Sequence, residues 1–390
     1  MQSTIARGFQ TSEFEARVER AQALMADQKL DGLLLTWGDN IRYFTGIEAG
    51  FEGSHTRPWF LLVPAAGEPT AIVPAIGEAL MSATWVKDIR SWPSPRPEDE
   101  GTTLLVAALA SLPRRFGRIA AEFGIETRLG IPVVQLNQII KAVPGVEIVD
   151  GASLIWSLRM IKSDAEVTKI QRAVDIAGAV FAQVPDFVHM GDTEQAIQKQ
   201  FRLRLLEAGA GQVGALCRSG PGGPEARSII GPARDRQISD GDLLFIDTGA
   251  TVENYFCDYD RNYQVGSVSD ALLFANERVW EANEAGLRAA VPGVTAGHVF
   301  EAMAKVLSLR DRELNSYGRM GHGLGLRVTE PPSIKIGDNT LLKPGMVLCI
   351  EPGYEYEPGK IVLHEETVVI TADGSRLLTP RAPKQLPRIQ

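Results

Sequence analysis

The chain has 390 residues, 44% of them hydrophobic and 23% charged, a composition that excludes a collagen, a coiled coil or a disordered tail. At roughly 150 residues per domain, this length predicts two domains or three. The 48 acidic residues outnumber the 40 basic ones and give a formal net charge of −8. Because a phosphate backbone is held by a broad basic field, we expect no nucleic-acid partner.

The N-terminus lacks the apolar core of a signal peptide, and no apolar run approaches the ~20 residues of a membrane helix. The three cysteines, Cys217, Cys257 and Cys349, cannot all pair with one another and fit no zinc template. This cysteine usage is typical of a reducing compartment. We therefore expect a cytoplasmic protein with no membrane partner, in which Cys257 and Cys349 pack as small hydrophobic residues.

Helices and strands alternate through about the first 150 residues. Apolar residues at helical spacing predict a helix that is capped by Thr11 or Ser12 and runs to about Gln28. Strands are predicted at 32–36, 59–63, 70–73 and 118–121, and helices at 101–111 and 131–141. This alternation is typical of an α/β domain, which we place at residues 1–155.

The pattern of predicted helices and strands is different in the remainder of the chain, residues 156–390. Ser163 or Asp164 is predicted to cap a long helix, and Asp192 to cap a second helix that runs to about Ala208. Strand-like segments with glycine turns then dominate as far as Val265. Two helices follow at about 270–289 and 296–308, and strands return to about residue 377.

A first pair of acidic residues flanks a predicted turn at 251–254. If the two strand-like runs form a hairpin about that turn, Asp247 and Asp258 lie opposite each other. Facing like charges are destabilising, and Asp247 also follows an apolar run. Two buried carboxylates would need a proton or a cation between them. The alternative is an acidic turn in which Asp247 accepts hydrogen bonds from local amides.

A second pair repeats this arrangement around the turn signal Pro358-Gly359. Glu351 and Glu365 are equidistant from Pro358, so a hairpin would place them face to face. The alternative is a solvated face, or salt bridges to Lys360 or to arginines. Two such pairs in one domain are stronger evidence for a cation site than either pair alone.

One histidine stands out among the five in the chain, because glycines flank His322 on both sides. Glycine lets the backbone approach a ligand closely. Four carboxylates and one imidazole are a suitable ligand set for two divalent ions such as Mn²⁺, Fe²⁺, Co²⁺ or Zn²⁺. The alternative is that His322 is a structural histidine.

The order of these residues resembles the superfamily of methionine aminopeptidase, prolidase, aminopeptidase P and creatinase. The surrounding motifs resemble it as well: Gly241-Asp242, Gly321-His322-Gly323-Leu324-Gly325, Lys343-Pro344-Gly345-Met346 and Glu351-Pro352-Gly353. The resemblance covers about residues 160–380. The smaller N-terminal domain and the junction Ile161-Lys162-Ser163 resemble the creatinase and prolidase branch.

This resemblance implies an α/β N-terminal domain followed by an α+β pita-bread catalytic domain, usually as a homodimer. It implies a hydrolase with two divalent ions, manganese first, with iron, cobalt or zinc as alternatives. Glu351 would also act as the general base for the attacking water. The implied metal ligands are Asp247, Asp258, His322, Glu351 and Glu365.

The chain also departs from the peptidases of this family. Two histidines that contact the scissile amide and the tetrahedral intermediate in those enzymes are replaced by Ile230 and Thr329. Loss of one such donor costs about 3 kcal/mol of transition-state stabilisation in well-studied enzymes. The arginine expected two residues before the last glutamate is Leu363, which changes the surroundings of the metals.

Candidate substrate-binding residues lie in both domains. Arg57 resembles in position an arginine that, in creatinase-like relatives, reaches a neighbouring subunit's active site and receives the substrate carboxylate. Arginine suits such bidentate capture, although an exposed surface arginine is the alternative. The other candidates are His55, Tyr317, Arg319 and Thr329.

Two functions therefore compete. The first is a binuclear metallohydrolase of the Xaa-Pro aminopeptidase or prolidase type, acting on short peptides. The second is a non-peptidase enzyme acting on a small carboxylate-bearing molecule, as in creatine or ectoine hydrolysis or dimethylsulfoniopropionate cleavage. The five-ligand set favours the first, and the missing histidines favour the second. A non-catalytic binding module is disfavoured by the intact ligand set.

Overall fold

The computed structural model describes residues 8–48, 54, 56–219, 231–309 and 318–390, without the side chains of residues 216–219. The chain forms two compact units, residues 1–159 and 160–390. The boundary expected from the sequence, between residues 155 and 156, falls inside the last helix of the first unit. No helix among the described residues is both long and apolar enough to cross a bilayer.

The first unit alternates helices and strands, as expected for an α/β domain. The N-cap residue of the first helix is Gln10, with no side-chain cap, and not Thr11 or Ser12, which already belong to the helix. Its helices are α1 (Thr11–Gln28), α2 (Gly38–Thr45), α3 (Ala75–Ser82), α4 (Thr102–Ser111), α5 (Val133–Ala142) and α6 (Ala152–Arg159). Its strands are β1 (Gly32–Leu35), β2 (Phe60–Pro64), β3 (Thr70–Pro74), β4 (Asp88–Trp92), β5 (Arg118–Ala121) and β6 (Glu147–Asp150).

These six strands form one mixed sheet in the order β4-β3-β2-β1-β5-β6. The β1–β5, β5–β6 and β3–β4 pairs are parallel, and β2 is antiparallel to both of its neighbours. Strand β1 is buried along its whole length, which explains its continuous apolar run Gly32–Leu35. Side chains of β1, β2, β5 and α4 share one core with Trp92.

The described residues of the second unit form five helices. Ser163 caps the first of them through a reciprocal capping box with Glu166. The second long helix is capped by Thr193 and not by Asp192, whose carboxylate accepts from the backbone of His189 instead. The helices are α7 (Asp164–Phe181), α8 (Val184–Phe187), α9 (Glu194–Glu207), α10 (Asp270–Ala289) and α11 (Ala296–Leu307).

The described strands of this unit form two five-stranded sheets and a hairpin. The first sheet has the order β18-β10-β8-β7, with β9 paired to β8, and the second has the order β12-β11-β13-β16-β17. Strands β14 and β15 form the hairpin. The strands are β7 (Val213–Ser219), β8 (Leu243–Val252), β9 (Tyr255–Phe256), β10 (Tyr259–Val265), β11 (Gly321–Gly323), β12 (Glu330–Ser333), β13 (Val347–Ile350), β14 (Gly353–Glu357), β15 (Lys360–Leu363), β16 (Glu366–Ile370), β17 (Ser375–Leu377) and β18 (Arg388–Ile389).

Helices cover both sheets. Helix α7 packs on β8, while α10 contacts β13, β14 and β15 and also packs against α11. The apolar faces of α10 and α11 share a core with strands β13 and β16, which includes Val279, Phe300, Leu348 and Val368. The predicted ligands lie within or directly beside strands of the two sheets: Asp247 within β8, His322 within β11, and Asp258, Glu351 and Glu365 directly beside β10, β13 and β16.

Candidate metal centre

The first acidic pair comes together, but not in the predicted register. Asp247 on β8 pairs with Asp260 on β10, so Asp258 lies diagonally from Asp247 and not opposite it. The prediction misplaced the turn. The two turn residues are Glu253 and Asn254, with φ of 49° and 68°, and this left-handed pair closes a two-residue hairpin. Thr251 therefore still belongs to the strand, paired with Phe256.

The register reveals a fifth carboxylate, Asp260, which was not predicted from the sequence. Asp260 is fully buried and accepts a hydrogen bond from the backbone N–H of Glu365. It also accepts from the Asn262 side-chain amide at 2.7 Å. The period-two alternation of a strand was the available signal, because it places Asp260 on the same face as Asp258.

The second acidic pair lies in the predicted register. The hairpin β14–β15 pairs Gly353 with Leu363, and β13–β16 pairs Ile350 with Glu366. Glu351 lies between β13 and β14, and Glu365 lies between β15 and β16. The two glutamates are therefore opposite each other in the register that both ladders share. The backbone N–H of His364 donates to Pro352 O at 3.2 Å, which ties the two segments together beside the glutamates.

His322 presents one ring nitrogen to the carboxylates. Its Nδ1 lies 2.9 Å from Gly323 O and therefore carries the proton, which leaves the lone pair on Nε2. Nε2 lies 3.5 Å from Asp258 Oδ2 and 3.4 Å from Glu351 Oε1. Burial, and secondly the charge of Arg319, lower the pKa of His322 to about 4. The imidazole is thus neutral at pH 7 and aimed at the acids.

The site has an inner wall and an open side. Asp258, His322 and Glu365 are buried, whereas Asp247 and Glu351 are partly exposed. Asp247 Oδ1 and Glu365 Oε1 are buried without a hydrogen-bond partner among the described residues. Unpaired buried carboxylate oxygens are costly, and a cation is a natural way to satisfy them. The donor set of carboxylates and one neutral imidazole fits hard or borderline divalent ions.

The pKa shifts reflect the crowding of acids. Burial raises the pKa of Asp247 to about 6, and burial together with the charge of Asp247 raises that of Glu351 to about 7. Burial and the charges of neighbouring carboxylates raise the pKa of Asp258 and of Glu365 well above the usual range. Strongly perturbed carboxyl groups concentrated in one place are typical of a functional site.

A cysteine also lies among the ligands: Cys349 is fully buried, as expected of a small hydrophobic residue, and its sulfur is close to the other potential ligand atoms. One potential ligand atom from each of Asp258, His322, Cys349 and Glu365 lies within 4.8 Å of the others. Cys349 precedes Glu351 by two residues, so strand alternation was the signal that placed both side chains on one face. Burial raises the pKa of its thiol.

Two predicted substrate residues lie beside the ligands. Arg319 is exposed, and its charge lowers the pKa of both Asp258 and Glu351 against the effect of burial. Its Nη2 donates to Thr329 Oγ1 at 3.3 Å. Thr329 thus offers a hydroxyl held by a guanidinium at the position where peptidases of the resembling family have an imidazole.

Of the other predicted substrate residues, the structure describes Arg57 alone. Arg57 belongs to the first unit, where it has a φ of 62° and its Nε donates to Ser94 Oγ at 3.0 Å. His55, Tyr317 and Ile230 lie outside the described residues.

Comparison with known proteins assigns both units. Residues 168–372 match metallopeptidase family M24, and residues 17–161 match the creatinase/prolidase N-terminal domain. Together these matches span most of the chain. The first one contains all five predicted ligands.

Similar proteins carry peptidase names. A crystal structure of dipeptidase PepE from Mycobacterium ulcerans is 30% identical, with a TM-score of 0.83 over 98% of this chain and 99% of that one. The probable dipeptidase PepE of Mycobacterium tuberculosis is 28% identical over 373 residues, 95% of each protein. An Xaa-Pro dipeptidase of Pyrococcus furiosus is 34% identical over 233 residues, 58% of this chain and 65% of that protein.

These likenesses extend over the whole fold and agree with the acid-rich site. The chain belongs to metallopeptidase family M24: it is a divalent-metal hydrolase with a creatinase/prolidase-type α/β N-terminal domain and an α+β pita-bread catalytic domain.

Proposed function

We propose that this protein is a dipeptidase that cleaves short peptides, Xaa-Pro dipeptides among them, with two divalent ions held by Asp247, Asp258, His322, Glu351 and Glu365. The observation that carries this proposal is the convergence of these side chains around buried carboxylate oxygens without partners. The dipeptidase names of similar proteins supply the substrate class.

Two ions bound in this way would supply an activated water and a polarised substrate carbonyl. The residues of the chain have separate tasks. His322 stays neutral, so its Nε2 lone pair remains available, and the Gly323 carbonyl holds the ring orientation. Asp260 accepts a hydrogen bond from the backbone N–H of Glu365 and so fixes the backbone from which the Glu365 side chain extends.

Glu351 is the residue that we assign as general base. Its side chain is 19% exposed, so it lies on the open side of the site where a water and a peptide can enter. Its pKa, raised by burial to about 7, suits a group that takes a proton from the attacking water and returns it to the leaving amine.

Arg319 and Thr329 would orient the substrate on the exposed side of the site. The Arg319 guanidinium can bind a carbonyl or carboxylate oxygen while it donates to the Thr329 hydroxyl. Arg57, from the first unit of a partner subunit, would bind the carboxylate of the peptide. We therefore propose a homodimer, located in the cytoplasm, with manganese as the first candidate ion and iron, cobalt and zinc as alternatives.

A second function is favoured by Ile230 and Thr329, which replace two histidines of the resembling peptidases. A hydroxyl in place of an imidazole weakens the case for an ordinary peptide substrate and favours a small carboxylate-bearing molecule with a scissile C–N bond. The metal ligands serve both functions equally, so the two differ only in the substrate.

A substrate panel separates these functions. Metal-loaded protein is assayed with Ala-Pro and Gly-Pro, with dipeptides that lack proline, with Xaa-Pro tripeptides, and with small amides and amidines. Dipeptide hydrolysis that a chelator abolishes and added Mn²⁺ restores is the expected result. Turnover of small amides alone supports the second function. Absence of turnover on the whole panel contradicts the first.

A further inference from the structure

Cys349 occupies a central place in the second sheet of the catalytic unit. It lies on β13 and pairs with His322 on β11 and with Thr367 on β16. Directly paired residues of neighbouring antiparallel strands project on the same face of the sheet. The thiol therefore stands next to the imidazole of His322, and the side chain of Cys349 is fully buried.

The thiol is close enough to share an ion with its neighbours. The donor atoms of Asp258, His322, Glu365 and Cys349 all lie within 4.8 Å of one another. Two donors bonded to one ion at about 2.0–2.3 Å are at most about 4.6 Å apart. Around a tetrahedral ion the donors are roughly 3.3–3.8 Å apart, so the longest separation in the group would need to shorten by up to about 1.5 Å on binding.

A second observation points to a cation at this place. Glu365 is 2% exposed, and its Oε1 has no hydrogen-bond partner among the described residues. The Cys349 sulfur makes weak contacts with Asp258 O and Thr367 Oγ1, each at 3.7 Å. An unpaired carboxylate oxygen and a weakly bound sulfur thus lie on one buried cluster.

The neighbouring Cys257 shows that burial alone does not bring a thiol to this cluster. Cys257 is also fully buried and directly precedes Asp258. It nevertheless does not belong to the group of potential ligands. Adjacent residues of an extended strand project to opposite faces, which directs Cys257 away from Asp258.

We propose that Cys349 supplies a sulfur ligand to the ion bound by Asp258, His322 and Glu365. The thiol proton leaves to solvent as the metal–sulfur bond forms. A sulfur ligand favours zinc, cobalt or cadmium over manganese, which prefers oxygen ligands. The other ion position, which Asp247 would hold, has carboxylate donors and keeps the preference for ions such as manganese that favour oxygen ligands. This inference rests on the metal centre of the proposed function and refines it.

Cobalt spectroscopy tests the sulfur ligand directly. Full-length protein is stripped of metal and titrated with Co²⁺, and the near-ultraviolet thiolate-to-cobalt charge-transfer band is recorded. We expect the band in the wild type and in Cys257→Ser, the matched control, and its loss in Cys349→Ser and Cys349→Ala. Cobalt binding by the wild type without this band overturns the inference, even if no variant folds, and so does a band that persists without Cys349.

Metal competition gives an independent measurement. Protein is equilibrated with equimolar Zn²⁺ and Mn²⁺, and the bound ions are counted by elemental analysis. Cys349→Ser should lower the ratio of bound zinc to manganese by at least about tenfold, the low end for losing a group that supports a metal. An unchanged ratio contradicts the sulfur ligand. A wild-type protein that binds no ion overturns the metal centre itself, which distinguishes the two failures.

Discussion

Asp260 lies directly opposite Asp247 across the β8–β10 ladder, so two carboxylates face each other in the wall of the metal centre. The register of a hairpin with a two-residue turn creates this pair. Burial raises the pKa of Asp260 well above its usual range, against the effect of Arg261. Asp260 serves the site as a hydrogen-bond acceptor for the backbone N–H of Glu365 and for the side-chain amide of Asn262.

Replacing Asp260 should therefore weaken metal binding. In Asp260→Ala the backbone N–H of Glu365 loses its acceptor, and one negative charge leaves the surroundings of the ions. We expect metal affinity to fall about 10- to 100-fold, the range for groups that orient metal ligands. Titration calorimetry of metal-stripped protein measures this change. The exposed Asp373 is a matched control, and an equal affinity of Asp260→Ala and Asp373→Ala would disprove a positioning role.

The metal-free protein should lose stability as pH rises above 6.5. A carboxyl group whose pKa is raised by folding binds protons preferentially in the folded chain, so the free energy of unfolding falls as pH rises towards that pKa. The pKa of Glu351 is raised to about 7, while Asp258 and Glu365 are raised further. His322, with a pKa lowered to about 4, acts in the opposite sense, but only below its ordinary value of 6.5.

Thermal unfolding at several pH values between 6.5 and about 8 measures this loss. Saturating divalent metal should reverse the trend, because ions displace the shared protons and bind more tightly as pH rises. If the metal-free protein became more stable over this interval, the carboxylates would not be crowded in solution as they are in the structure.

Glu351→Gln should separate proton transfer from substrate binding. The amide keeps the size of the side chain but cannot take a proton from water. We expect kcat to fall roughly 10²- to 10⁴-fold, the usual contribution of general base catalysis, with a much smaller change in KM. The exposed Glu301 on α11 provides the control Glu301→Gln. A variant that retains near-normal kcat would remove Glu351 from this role.

Arg57→Ala tests the assignment of the substrate carboxylate. A charge-assisted hydrogen bond is worth about 1.5–3 kcal/mol, so kcat/KM should fall roughly 10- to 100-fold for a dipeptide. It should change little for the corresponding dipeptide amide, which lacks the carboxylate. Arg96, an exposed arginine of the same unit that pairs with Glu98 at 3.2 Å, is the control. An equal loss on acid and amide would contradict carboxylate capture.

The glutamate pair shows how much of the site the sequence could predict. Pro358-Gly359 marks one unambiguous turn, so counting outward from it places Glu351 and Glu365 in register. The aspartate pair had no such marker. The residues Thr251 to Asn254 all looked like turn residues, although only Glu253 and Asn254 have left-handed φ values.

Side-chain context explains what the sequence missed. Cys349 was predicted to pack as a small hydrophobic residue because its strand is apolar, and only the pairing of β13 with β11 places it beside His322. In the first unit the four predicted strands all form, whereas strands β4 and β6 and helices α2 and α3 were not predicted. Strands β4 and β6 are only partly buried and carry charged residues, so neither has the apolar run that marks the other four. The sequence motifs could not predict the hydrogen bond from Arg319 to Thr329, because it depends on the conformation of the loop between β11 and β12.

The most direct test of the account is the number of ions that the protein binds. Elemental analysis of metal-saturated protein, after removal of free metal, should give two divalent ions per chain for the wild type. It should give at most one for Asp258→Ala, with a lower melting temperature, and two for the control Asp373→Ala. An Asp258→Ala variant with the same metal content and stability as the wild type would contradict the metal centre on which the proposed function depends.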